Sequence, residues 1–103
     1  MFLKISFAIV PQHRADDYLA YVRRFVSPRY RSAAGLVSIQ LLRRPVVAYV
    51  EVLMLSAWRT QQALEQFAAI EPAIDRGGLE YGAIVLDART YEVAEFEEND
   101  SAA

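Results

Sequence analysis

A chain of 103 residues with 54% hydrophobic side chains and a formal charge of −2 has room for one domain around one core. No apolar run approaches the roughly 18 residues that a membrane-spanning helix needs, so no membrane partner is expected. With no cysteine and only His13 as histidine, disulfides, thiolate chemistry and a multi-histidine metal site within one subunit are excluded.

The chain opens Met1-Phe2-Leu3-Lys4-Ile5, without a basic leader or a small-residue cleavage site, so it reads as mature structure with a cytoplasmic location. Residues 3–10 are nearly all apolar and end at Pro11, which cannot donate to a ladder; they form a first strand buried on both faces. From about His13, Ala15, Tyr18, Leu19, Val22, Phe25 and Val26 recur at three- and four-residue spacing. Asp16 and Asp17 lie early and Arg23 and Arg24 late, matching the helix dipole, so this is an amphipathic helix. Ser27-Pro28 then reads as a cap and first-position proline that restart a helical turn until Gly35 stops it.

Residues 36–42 alternate as an edge strand, and Arg43-Arg44-Pro45 forms the polar turn after it. Residues 46–55 are β-branched and apolar, interrupted only by Tyr49 and Glu51, as suits a central strand. Thr60 caps a second helix with Ala63, Leu64, Phe67 and Ala68 on one face, and Pro72 with Gly77-Gly78 ends the helical region. A last strand runs over residues 83–96, and the acidic remainder, 97–103, lacks apolar anchors and is expected to be a disordered tail behind a domain of residues 1–96.

The order β, α, β, β, α, β is the split βαβ motif, an α+β, ferredoxin-like arrangement with one four-stranded antiparallel sheet. Two helices cover one face of that sheet, whereas residues 46–55 are apolar on both faces. A second copy laid sheet to sheet would cover the open face, so the chain is expected to be its own partner in a symmetric dimer. Charge is uneven along the chain: residues 1–44 carry eight Lys/Arg against two Asp, and residues 45–103 three Arg against eleven acids. In a fold whose halves interleave these sets neutralise each other, and no nucleic-acid partner is expected.

The run Ser56-Ala57-Trp58-Arg59-Thr60-Gln61-Gln62-Ala63-Leu64-Glu65-Gln66-Phe67 resembles the strand end, tryptophan, helix cap and Ala-Leu-x-x-aromatic pattern of the dimeric α+β barrel proteins, within them the antibiotic-biosynthesis-monooxygenase-like group. Pro11 before an acidic helix start, Ala34-Gly35-Leu36 where that group tends to show Pro-Gly-Phe, and the closing strand extend the resemblance over residues 3–96. It implies a dimeric α+β barrel and a monooxygenase that acts on an aromatic or quinol-like small molecule with molecular oxygen and with no metal, flavin or other cofactor. The group also contains haem-degrading enzymes, polyketide cyclases and proteins of unknown role, so the fold leaves activity open. Of the residues carried by the anthrone-oxidising members, Trp58 is matched, while Met54 and Leu64 stand where an asparagine and a tyrosine would be, and the place of their arginine falls near Gly78, with Arg76 as the closest substitute. Haem degradation is not expected, because the first strand offers Ser6 in place of asparagine and no histidine follows His13.

Trp58 and Glu51 are the candidate catalytic residues. The Trp58 indole either walls a pocket, its N–H holding a ligand oxygen, or packs under the helix. Glu51, a carboxylate among valines, is either a general base raised toward neutrality by burial or one half of an ion pair with an arginine such as Arg43 or Arg89. Tyr18, Met54, Phe67 and Tyr91 are the candidate substrate-binding residues, with Tyr21, Tyr49 and Tyr81 as further aromatic lining for a flat ligand. His13 reads as a surface residue at a helix start. The competing expectation is a non-catalytic dimeric module of the same fold, which binds a small hydrophobic ligand or serves a structural role after losing the group's polar residues at positions 54 and 64.

Overall fold

A computed structural model describes residues 1–71 and 76–99. Four strands, β1 (Phe2–Pro11), β2 (Leu36–Val46), β3 (Tyr49–Trp58) and β4 (Ile84–Glu92), form one antiparallel sheet in the order β2-β3-β1-β4. The two strands with the most continuous apolar sequence, β1 and β3, are its centre. The helical layer consists of α1 (Ala15–Tyr21), a π-helical segment (Val22–Val26), α2 (Ser27–Arg31) and, after β3, α3 (Gln61–Ala68). All of these elements belong to the split βαβ arrangement expected from the sequence.

The helices cover one face. On β3 the residues Val50, Val52, Met54 and Ser56 are buried beneath them, and on β1 Lys4, Ala8 and Val10 are. Leu3, Ile5, Phe7 and Ile9 of β1 point the other way with Leu53 and Leu55 of β3, so a broad apolar face lies opposite the helices. Thr60 caps α3 as the sequence predicts, its Oγ1 accepting from the Ala63 N–H at 3.1 Å. Gly35, at φ +85°, fits where a Cβ would stand 2.6 Å from that of Ala63, and its carbonyl accepts from the Arg59 N–H at 2.8 Å, locking the start of β2 to the β3–α3 junction.

Several boundaries differ from the sequence expectation. Arg43-Arg44-Pro45 is part of β2, paired with Val52, Glu51 and Val50; the strand tolerates Pro45 because its outer edge has no neighbour in the sheet. The turn falls instead at Val47-Ala48, and β3 runs on to Trp58. β4 stops at Glu92, continued by one bond from the Val93 N–H to the Met1 carbonyl at 2.9 Å. Pro28 stands in the first turn of α2, as expected, but Ser27 makes no side-chain cap and no break precedes it. The chain stays helical through Val26, and the wide π turn relieves the missing N–H and the ring clash that Pro28 imposes on the carbonyl four residues earlier. Pro72 lies outside the described residues, and Gly77-Gly78 sit in a 3-10 turn, Arg76–Tyr81. Of the expected tail, residues 97–99 carry no regular structure and 100–103 lie outside the described residues.

Val47 stands in the left-handed region at φ 54° while 95% exposed, a costly combination for a β-branched side chain that packs against almost nothing. Val47→Asn is expected to stabilise the domain by about 0.5–1 kcal/mol, measured as a higher urea midpoint with an unchanged slope.

Candidate active site

β1 alternates Lys4, Ser6, Ala8, Val10 on its helix-covered face, which brings two polar side chains under the helices where only apolar ones would pack without cost. Their partner comes from the far end of the chain. Glu71, just beyond α3, is 4% exposed, and its Oε1 accepts from the Tyr30 hydroxyl at 2.6 Å and from the Ser6 hydroxyl at 3.2 Å. Its Oε2 lies against the ammonium group of Lys4, itself 7% exposed. Three residues, Lys4 and Ser6 from β1 and Tyr30 from α2, thus satisfy one buried carboxylate, as a buried charge requires.

Ser6, Tyr30 and Glu71 form the polar end of a cavity of about 40 Å³ between sheet and helices. Val22, Val26, Leu41, Val52 and Met54 make its apolar wall. Tyr18 and Tyr21 close it further out, their rings stacked at 6.4 Å, with Tyr81 5.3 Å from Tyr21. The glycine pair explains how those tyrosines fit: a Cβ on Gly77 would collide with the Tyr21 hydroxyl, and one on Gly78 would stand 3.1 Å from the Tyr18 ring. The volume holds a few water molecules. A carboxylate with two hydroxyl partners, set in an apolar chamber, can accept a proton from a molecule placed there.

The structure brings Tyr18 and Met54 to this cavity but leaves the other candidates elsewhere. Trp58 is fully buried and lies outside the lining; its Nε1–H donates to Ser56 Oγ at 2.9 Å, and its ring packs 5.2 Å from that of Phe67. Its geometry is that of the packing tryptophan. Phe67 sits in the same core, 4.3 Å from Tyr30. Glu51 is on the opposite, open face and makes an ion pair with Arg44 at 3.3 Å, so it cannot reach Trp58's side of the sheet. Tyr91 lies in the edge strand β4, beside Arg89 and Asp87. There the Arg89 guanidinium and the Ala88 N–H hold the Asp87 carboxyl below the ordinary range, and Asp87 in turn raises Arg89. His13 is exposed in the 3-10 turn before α1. Among the described residues no three His, Asp or Glu side chains converge as metal ligands.

Lys4, Tyr30 and Glu71 escape sequence reasoning, and Ser6 enters it only through a comparison of families. One signal was available: the two-residue spacing of Lys4 and Ser6 in phase with Ala8 and Val10, which sets a cation on the core face and demands a buried acid. Because Trp58 serves packing, Trp58→Phe is expected to cost about 1–3 kcal/mol through the orphaned Ser56 and lost contacts, seen as a lower thermal midpoint with no change in ligand binding.

Comparison with known proteins places this architecture. No family model and no curated protein matches the sequence. Solved structures do match. A protein provisionally named an antibiotic biosynthesis monooxygenase from Deinococcus radiodurans superposes with a TM-score of 0.78 over 96% of this chain and 98% of its own, at 12% identity. A dimeric ferredoxin-like protein from an uncultured marine organism gives 0.76 over 96% and 100%, also at 12% identity. An MhuD variant with two manganese protoporphyrin IX molecules per active site gives 0.70 over 96% and 100%, at 18% identity. The chain is thus an α+β domain of the ferredoxin-like type. More particularly, its fold is similar to that of proteins provisionally named antibiotic biosynthesis monooxygenases and of a dimeric ferredoxin-like protein. No helix of the described residues is long and apolar enough to cross a membrane.

Proposed function

We propose that the chain forms a homodimer through its open sheet face and that each internal cavity takes a small aromatic or quinol-like molecule for oxidation by molecular oxygen without a resident cofactor. The observation that supports this reading is the buried Glu71 carboxylate, which with Ser6 and Tyr30 converges on an otherwise apolar chamber. Glu71 here takes the role that the sequence suggested for Glu51. In the proposed reaction Glu71 accepts the proton of a substrate hydroxyl, and the resulting anion gives an electron to oxygen. Recombination makes the new carbon–oxygen bond. At a ring CH₂ carbon, loss of both C–H bonds yields a carbonyl, and the second oxygen atom leaves as water with the proton returned by Glu71. The low polarity of the walls favours spreading charge over the substrate ring rather than solvating it.

The cavity volume favours a second reading. About 40 Å³ admits water but no aromatic ring until the Tyr18–Tyr21 wall moves, as suits a ligand-binding or structural module. Oxygen uptake by the purified protein over a panel of hydroquinones, anthrones and catechols, with no added metal or flavin, distinguishes the two. Protein-dependent uptake that Glu71→Gln removes and Glu51→Gln leaves intact is the expected result. No uptake from any substrate would leave the binding module as the function.

A further inference from the structure

The two rings that close the cavity are held differently. Tyr18 packs against both halves of the core, whereas Tyr21 packs against the half around Trp58 alone. The other neighbours of Tyr21 are rings toward the surface: Phe25, 54% exposed, at 5.7 Å, and Tyr81 at 5.3 Å. Tyr21 is also the last residue of α1, and the π turn Val22–Val26 begins at the next position. A π turn interrupts regular helix geometry, frequently beside a functional site. The seat of the Tyr21 ring is Gly77. A Cβ there would coincide with the Tyr21 hydroxyl and lie 2.5 Å from the ring carbon that bears it. Gly77 does not need to be glycine for its own backbone, because among the described residues the left-handed region holds Val47, Gly35 and Gly82. The missing side chain serves the ring, and an alanine would push on the far end of a side chain that can turn away.

We infer that Tyr21 is the movable wall of the cavity, and that the space its ring vacates selects the ligand: a single-ring phenol such as a hydroquinone or a catechol, and not a fused-ring molecule. This rests on the reading above that a hydroxylated aromatic molecule enters the cavity, and it fixes the size of that molecule. The cavity of about 40 Å³ holds no ring, whereas an apolar cavity of roughly 150 Å³ holds benzene. Turning one phenol side chain outward about χ1 supplies the volume of one ring. A second fused ring would require Tyr18 to leave the core as well. The vacated slot is bounded by Tyr18, Val22, Val26 and Met54, with Ser6 and Glu71 at its polar end. A ring lying there packs against Tyr18 and presents a hydroxyl to the carboxylate.

Binding is measured by calorimetry without oxygen, so that it is read apart from turnover. Native protein is expected to bind hydroquinone and to bind 1,4-dihydroxynaphthalene at least about tenfold more weakly. Gly77→Ala, which holds the Tyr21 ring out, is expected to tighten hydroquinone at least about tenfold, because the ligand no longer has to open the wall. Tyr21→Ala is expected to remove the preference for one ring over two, and it carries the test alone if Gly77→Ala does not fold. Gly77→Ala that binds hydroquinone no better than the native protein, Tyr21→Ala that still prefers one ring, or no binding of either diol by any of the three proteins would overturn the inference. Oxygen uptake separates this from the reading it rests on. Size-selective binding that responds to both variants, with no uptake, removes the oxidation and leaves Tyr21 as the wall. Uptake with the same preference for ring size in native protein and Tyr21→Ala keeps the oxidation and removes this inference alone.

Discussion

Glu71→Gln is expected to lower the rate of substrate-dependent oxygen consumption by about 10²–10⁴-fold, the range that a positioned general base contributes. The amide keeps the shape of the side chain and still accepts the Tyr30 and Ser6 hydrogen bonds, which in the native protein measure 2.6 and 3.2 Å. What it loses is the ability to take a proton and the charge that Lys4 pairs with, so turnover is measured well below the variant's own thermal midpoint. The loss should therefore appear in kcat with a smaller change in KM, since ligand contact with the apolar wall is untouched. Tyr30→Phe removes one hydroxyl from the carboxylate and should cost far less, about tenfold. Full turnover in Glu71→Gln, measured with an oxygen electrode under saturating substrate, would remove Glu71 from the chemistry.

Lys4→Met should be the most damaging single change to the fold. It strands the Glu71 carboxylate, 4% exposed, without its cation, and breaking one side of a buried pair costs about 3–5 kcal/mol. For a domain of this length that lowers the thermal midpoint by on the order of 15 °C or more. Adding Glu71→Leu should recover most of the loss, because two apolar side chains in place of a buried ion pair are often neutral or better. Circular dichroism melts of both singles and the double give the coupling energy directly. If Lys4→Met melts within a few degrees of the native protein, the pair is not holding the core together.

The order of elements was legible because each carries its own local signature: the largely apolar runs of β1 and β3, the three- and four-residue spacing from Ala15 to Val26, and Thr60 placed to cap α3. The open apolar face was legible too, from both sides of β3 being hydrophobic. The polar site was not. Glu71 is 65 residues from Ser6 and 41 from Tyr30, so no window of sequence contains the cluster. Glu51 drew attention as a carboxylate among valines, yet alternation along β3 sends it to the open face, where Arg44 meets it. Trp58 was conspicuous by type, and Ser56, two residues away on the same face, already satisfies its N–H. Arg43-Arg44-Pro45 looked like a turn by composition, but an edge strand accepts both charge and proline, and the tight reversal passed to Val47-Ala48 despite the strain there.

The place of β1 in the sheet has a consequence for how the protein is made. β1 leaves the ribosome before both of its neighbours in the sheet, β3 and β4, the last of which ends at Glu92. One hydrogen-bonding edge of β1, apolar along nearly its whole length, must wait until β4 has been made, and the Met1 carbonyl waits likewise for the Val93 N–H. A fragment that ends before β4 leaves that edge of β1 unpaired, and in that interval collapse of α1 against β1 is the contact at hand to shield it.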